Sequence, residues 1–190
     1  MKLKSKEYLN LLQVLLETKV HLGHDRSTWN SKLATYILSE YKNFHVLDLE
    51  QTIPLLKKAL NVISALYKKG KNILVIGNSD VNKAYTLELI KNKNVFGVST
   101  KWTGGSLTNF HKRHFKYTRV DNEKRPSLVI LLNIKGNEIA IKEALQSKIP
   151  VIGIVDTDID PKGIQYIIPG NDDSPQSQYL YYKLISNAIH

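Results

Sequence analysis

Apolar residues recur at spacings of three and four from Tyr8 to Thr18 (YLNLLQVLLET), which predicts an amphipathic helix. Two short apolar clusters follow, 36–38 (YIL) and 44–47 (FHVL), with the polar run Ser39 to Asn43 between them. That layout predicts two extended segments joined by a hairpin turn. A long helix is expected over 51–69, with Thr52 as cap, Pro54 in the first turn and Gly70 at the end. After Gly70 the rhythm changes. Uninterrupted apolar runs appear at 73–77 (ILVIG), 95–99 (VFGVS), 128–132 (LVILL), 151–155 (VIGIV) and 166–168 (YII). Helical segments separate or follow them: 81–92, capped by Asp80; 137–147; and 175–188, with Pro175 in the first turn. Apolar strands alternating with helices predict an α/β fold, a five-stranded parallel sheet covered on both faces, with right-handed crossovers. The N-terminal helix and the short extended segments are additions to that core.

The chain has 190 residues, of which 42% are hydrophobic, enough for one packed domain over 1–190. Within it, 1–50 is expected to pack on or beside the core as an N-terminal extension. Segment 103–127 breaks the alternation: it is polar, basic and long for a bare connection. Cysteine is absent, which excludes a disulfide scaffold, a thiol nucleophile, an iron–sulfur centre and a thiolate zinc site. No apolar run reaches the roughly 18 residues of a membrane span. Met1 to Lys6 are basic but lead to no small-residue cleavage site, so no secretory signal is expected.

The formal charge is +10. A polyanionic partner is one explanation. Lysine-, asparagine- and isoleucine-rich usage from AT-rich coding DNA is another, since the arginines are only Arg26, Arg113, Arg119 and Arg125. Distribution favours the first. Within 101–125, Lys101, Lys112, Arg113, Lys116, Arg119, Lys124 and Arg125 face only Asp121 and Glu123, a local +5. Trp102, Phe110, Phe115 and Tyr117 are interleaved with these cations, and His111 and His114 add polar nitrogens. Cations that neutralise phosphates beside rings that stack on bases form a nucleic-acid footprint. Residues 156–173 are the opposite, with Asp156, Asp158, Asp160, Asp172 and Asp173 against Lys162. The expectation is a polarised molecule with a basic face and an acidic edge.

Parallel sheets bind ligands outside the carboxyl ends of their strands. The loops that fall there are 77–80, 99–105, 133–136 and 156–163, and none carries a dinucleotide or P-loop fingerprint. Gly104-Gly105 is suited either to close phosphate approach before a helix near Leu107 or to a tight turn. Asp156-Thr-Asp158-Ile-Asp160 resembles the start of a calcium loop, but Pro161 and Ile167 stand where glycine and glutamate belong. An aspartate-rich turn is the expectation. His21-Leu-Gly-His24 and His111-Lys-Arg-His114 have chelating spacing but no evident carboxylate companion, so no metal site is expected. No serine lies in a G-x-S-x-G elbow.

Several strings together resemble one family, ribosomal protein uS2. Val20-His21-Leu22-Gly23-His24 followed by Trp29-Asn30 and Lys32 is similar to its N-terminal signature. Leu47 to Thr52 (LDLEQT) is similar to the start of its long helix. Trp102 to Asn109 (WTGGSLTN) resembles its WxGGxLTN block, and 126–150, containing IAIKEA, its second signature. Asp156-Thr157, Asp160-Pro161 and Ile168 to Asp173 (IPGNDD) resemble its closing blocks.

The resemblance implies a flavodoxin-like three-layer α/β/α fold and a place on the small ribosomal subunit. It implies small-subunit rRNA and neighbouring ribosomal proteins as partners, with no catalysis, cofactor, membrane or small-molecule substrate. RNA contacts are expected from Arg26, Trp29, Asn30 and Lys32, and from Lys101, Trp102, Gly104, Gly105, Lys112, Arg113, Lys116 and Arg119. Trp102 is equally suited to stack on a base or to anchor its loop in the core. Two features depart from the family. Sixteen residues separate Asn109 from Pro126 where bacterial members carry a long coiled-coil hairpin, and Ser27-Thr28 replace the usual arginines. The compact chain and its composition look more like a mitochondrial member, with the cytoplasm or another organelle as the alternative. The rival reading is a flavodoxin-like cofactor-binding protein or enzyme.

Overall fold

The computed structural model describes residues 5–109 and 125–189. The first helix, α1, spans Ser5–Glu17. Strand β1 (Leu22–Asp25) follows, then two short 3-10 turns, Arg26–Thr28 and Ser31–Tyr36. Strands β2 (Ile37–Tyr41) and β3 (Phe44–Leu47) form the expected hairpin. Its turn is only Lys42-Asn43, shorter than the polar run suggested, and both residues have positive φ (47° and 69°). Strand β1 was not expected from its sequence, LGHD, which has no apolar alternation. It pairs antiparallel with β3, giving a small sheet of order β1-β3-β2.

The long helix α2 runs over Leu49–Lys68, two residues earlier than expected. Its cap is Asp48, whose side chain accepts the Glu50 N–H at 2.9 Å. Thr52 is instead fully buried, and its hydroxyl donates to the carbonyls of Asp48 and Pro169. Pro54 therefore lies in the second turn rather than the first, where it removes one ladder bond. Gly70 ends the helix region with φ of +66°, which needs no Cβ.

The core strands are β4 (Ile73–Ile76), β5 (Val95–Val98), β6 (Leu128–Leu131), β7 (Val151–Val155) and β8 (Tyr166–Pro169). All pair in parallel, in the order β5-β4-β6-β7-β8. Counted within this sheet the order is 2-1-3-4-5, the flavodoxin-like arrangement. Helices α3 (Asp80–Leu89), α4 (Glu138–Gln146) and α5 (Pro175–Ala188) connect and close it. Ser79, not Asp80, caps α3 by accepting the Asn82 N–H.

Side chains alternate across the sheet with period two. Ile73, Val75, Leu128, Ile130, Ile152 and Ile154 face a core shared with Leu15, Ile53, Leu56, Ile63, Leu89, Tyr181 and Ile185 of helices α1, α2, α3 and α5. Leu74, Ile76, Val129, Leu131, Val151 and Val155 face the other way. There α4 supplies Ala140, Ile141 and Ala144, while irregular segments supply Leu33, Trp102, Leu107, Ile159 and Ile164. The third layer is thus one helix completed by loops, and those loops carry the candidate site. Among the described residues no helix is long and apolar enough to cross a membrane.

Candidate nucleic-acid interface

Two loops at the carboxyl end of the sheet hold the described candidate residues. The first, 24–32, is built by local capping. Asp25 accepts from the N–H and hydroxyl of Ser27, and Asn30 accepts from the Lys32 N–H. The loop is tied to the end of β7 by the Asn30 N–H donating to the Thr157 carbonyl at 2.8 Å. Arg26 is 69% exposed and pairs with Glu40 at 3.3 Å. Lys32 pairs with both carboxylate oxygens of Asp160, at 2.9 and 3.0 Å. Trp29 remains 39% exposed and leans on the ring of His45, with centroids 5.3 Å apart.

Most of the expected basic face, 110–124, lies outside the described residues, whereas loop 24–32 meets the acidic edge directly. The loop bearing Arg26 and Lys32 lies against the aspartate-rich turn 156–160. Exposed ion pairs of this kind are worth ~0–1 kcal/mol, so a phosphate can displace the carboxylates.

His24 corrects the expectation that it lacks a carboxylate companion. Its Nδ1 lies 3.1 Å from Asp156 and 3.7 Å from Asp158, and its Nε2 lies 3.0 Å from Asp173. The hydrogen bond to Asp156 raises the His24 pKa to about 9, so the ring is an imidazolium at neutral pH. Lys135 joins the cluster, 2.7 Å from Asp158. Burial and the charge of Asp156 push the Asp172 carboxyl up to about 7. The cluster locks β1 to the ends of the core strands. Ligand atoms of His24, Asp156 and Asp158 lie within 4.8 Å of one another, a donor set able to take a divalent cation once Nδ1 gives up its proton.

The second loop, 99–109, is organised by a residue that sequence reasoning missed. Glu143 of α4 is 6% exposed, and its carboxylate accepts three donors. The Gly105 N–H lies 2.6 Å from Oε1, the Leu107 N–H 2.9 Å from Oε2, and the Trp102 indole Nε1 3.3 Å from Oε1. Trp102 is 6% exposed, so it anchors the loop and presents no face to a base. Gly105 has φ of +84°, a conformation that suits only glycine here. Residues 104–109 are turns, with no helix beginning at Leu107 among the described residues. Lys101 stands exposed beside the anchor. Lys112, Arg113, Lys116 and Arg119 lie outside the described residues. The available signal for Glu143 was a charge inside the apolar stripe Ala140, Ile141, Ala144.

At the switch point between β4 and β6, where flavodoxin-like sheets receive ligands, three amides fill the crevice. Asn78 Nδ2 donates to Asn137 Oδ1 at 3.0 Å, Asn133 Nδ2 to Asn78 Oδ1 at 2.8 Å, and the Asn78 N–H to Asn133 Oδ1 at 3.1 Å. Asn137 is fully buried and also donates to the Asn133 carbonyl.

The fold and these loops define a flavodoxin-like α/β scaffold whose described carboxyl-end loops form a polar surface of interleaved cations and aspartates with one exposed ring, Trp29. The family model for ribosomal protein S2 matches residues 15–125 and 115–190. The chain belongs to the ribosomal protein S2 family. It is 34% identical over 216 residues to a protein of Rhodopseudomonas palustris (strain BisB18) named small ribosomal subunit protein uS2, covering 94% of this chain and 65% of that one. Proteins of the same name from Nitrobacter hamburgensis and Bradyrhizobium sp. (strain ORS 278) are each 34% identical over 215 residues, covering 93% of this chain and 65% of theirs. The chain thus spans 65% of the length of these curated relatives.

Proposed function

We propose that this chain is a structural constituent of the small ribosomal subunit, binding its rRNA and neighbouring ribosomal proteins during translation as one uS2-type domain without catalysis. The observation that carries the reading is the match along almost the whole chain to proteins named for that place. The site supplies the means. Arg26, Asn30 and Lys32 meet RNA from the loop tied to Thr157, with Trp29 as an exposed ring. Lys101 and the basic run Lys112, Arg113, Lys116 and Arg119 neutralise phosphates. Trp102, Gly104 and Gly105 fix the loop from which that run departs. Recognition is then mainly of shape and backbone rather than of bases. The amide-filled crevice speaks against the cofactor-binding alternative.

With about six cations engaged, affinity for rRNA fragments falls with salt at a log–log slope of about −4 to −5. A slope near zero contradicts the reading. Co-sedimentation with small subunits after a high-salt wash tests the placement directly. Changing Lys112, Arg113 and Lys116 together to Glu is expected to impair incorporation while the fold persists, and normal incorporation rejects the run as a principal contact. The proposed compartment is the mitochondrion, supported by the sixteen residues between Asn109 and Pro126 and by the lysine-, asparagine- and isoleucine-rich composition. Recovery of the tagged chain solely on cytoplasmic ribosomes overturns that assignment.

A further inference from the structure

The amino end of the core sheet gathers cations that are scattered in the chain. In a parallel sheet each connecting helix returns to the amino ends of the strands, so helix ends and strand entries meet on one edge. Lys68, Lys69 and Lys71 lead from the end of α2 into β4. Lys91 and Lys93 lie between α3 and β5, Arg125 precedes β6, and Lys148 lies between α4 and β7. All seven are exposed. Backbone bonds tie the entries together. The Ile73 N–H donates to the Asn94 carbonyl at 2.9 Å, the Ser127 N–H to the Asn72 carbonyl at 2.8 Å, and the Val129 N–H to the Pro150 carbonyl at 3.0 Å. Lys93, Lys71, Arg125 and Lys148 therefore follow the strand order β5-β4-β6-β7, across strand intervals of ~4.8 Å that span roughly 14 Å in all.

The entry segments 66–72, 88–94, 125–127 and 146–150 contain a single acid, Glu88, which Lys91 holds at 2.6 Å. The other six cations form no ion pair among the described residues. The carboxyl end is the reverse, since Lys32 and Lys135 there are paired with Asp160 and Asp158. Cations at helix C-termini complement the helix dipole, which accounts for Lys68, Lys69, Lys91 and Lys148. It leaves Lys71, Lys93 and Arg125, which stand at strand entries. What the edge offers specifies its occupant. A row of unpaired cations neutralises successive phosphates of one backbone. None of the large apolar side chains in the entry segments is exposed. The edge therefore lacks the aromatic and apolar anchors of a protein interface or of a membrane-seated surface, and it has no open ring on which a base could stack.

We propose that the amino-end row Lys93, Lys71, Arg125 and Lys148 is a second rRNA contact, gripping a phosphate backbone at the opposite end of the sheet from loops 24–32 and 99–109. The proposal rests on the ribosomal placement above. The chain then braces two rRNA segments with the sheet between them. The test measures partition of the full-length chain between small subunits and supernatant against KCl concentration. The triple variant Lys71→Gln, Lys93→Gln, Lys148→Gln is compared with the parent and with Lys83→Gln, Lys142→Gln, Lys162→Gln, which removes the same charge from exposed lysines elsewhere. In parallel, a diazirine-bearing lysine analogue replaces Lys71, and its crosslinks are mapped in subunits isolated by sedimentation. The log–log salt slope is expected to be shallower by about 2 in the first triple variant and unchanged in the second, with the crosslink on rRNA. A slope in the first variant equal to the parent's assigns these lysines to the helix ends and overturns the proposal. Equal loss of slope in both variants makes the effect one of net charge and overturns it as well. So does a crosslink that reaches protein but no rRNA. If the first triple variant does not fold, the crosslink decides alone. Absence of the parent chain from the subunit peak overturns the placement itself.

Discussion

Removing the Glu143 carboxylate is the sharpest way to probe how the second loop is held. In Glu143→Ala, the N–H groups of Gly105 and Leu107 and the Trp102 indole lose their shared acceptor. Each hydrogen bond to a charged acceptor is worth roughly 1.5–3 kcal/mol, and a stranded buried donor costs a similar amount. Keeping the loop closed therefore costs more than opening it to water. Opening forfeits mainly the burial of Trp102 and Leu107, at about 1.5–3 kcal/mol for each large apolar side chain. The cheaper route sets the expected loss at about 3–6 kcal/mol. Glu143→Gln keeps the volume and one acceptor but turns an amide N–H toward a donor, an expected loss of about 1–2 kcal/mol. The chain has two tryptophans, so Trp29→Phe leaves Trp102 as the sole reporter. In that background Glu143→Ala should shift the emission to the red, and urea unfolding gives the free-energy difference. Unchanged emission with a loss below about 1 kcal/mol would refute the clamp.

The remaining predictions concern the lock between the two sheets and the filled crevice. His24 titrates near 9 in the folded chain against 6.5 unfolded, so its stabilisation is complete below about pH 6.5 and is lost as pH rises through 9. Solvent screening of the 22% exposed ring reduces the effect to ~1–2 kcal/mol. Asp172, displaced from 3.8 to about 7, and the raised hydroxyls of Tyr85 and Tyr181 also act at the two ends of this range, so the His24 share is the difference in pH dependence between the parent and His24→Gln, read by urea unfolding with chelator at about pH 8 and about pH 10. A His24→Gln variant as sensitive to pH as the parent would contradict the assignment. Gly23→Ala places a Cβ 2.6 Å from Thr157 Cγ2 and 3.2 Å from the His45 carbonyl, and should cost about 1–3 kcal/mol by thermal melting. An unchanged Tm would mean the two sheets are not closely seated there. Asn137→Ala strands the Asn78 amide donor and should cost about 1–3 kcal/mol, read by urea unfolding. A neutral result would show the crevice amides to be solvated rather than interlocked.

The amino-acid order alone determined the parallel sheet. Runs such as ILVI and VIGIV are buried on both faces, and that condition is written in contiguous residues. The helices between them are equally local, since a 3.6-residue period needs no distant partner. Strand β1 escaped notice because LGHD is held by β3 and by Thr157, whose hydroxyl accepts the His24 N–H at 2.9 Å, not by its own apolarity. Cap positions shifted by one or a few residues wherever two polar residues competed, Asp48 against Thr52 and Ser79 against Asp80. Only the tertiary structure decided which charges are free and which are spent. Lys32, His24 and Glu143 look like ordinary polar residues in the chain, and their partners Asp160, Asp156 and the Gly105–Leu107 backbone reach them through crossovers of the fold. A charge reads the same in a sequence whether it faces solvent or a carboxylate, because pairing depends on the three-dimensional path between distant residues.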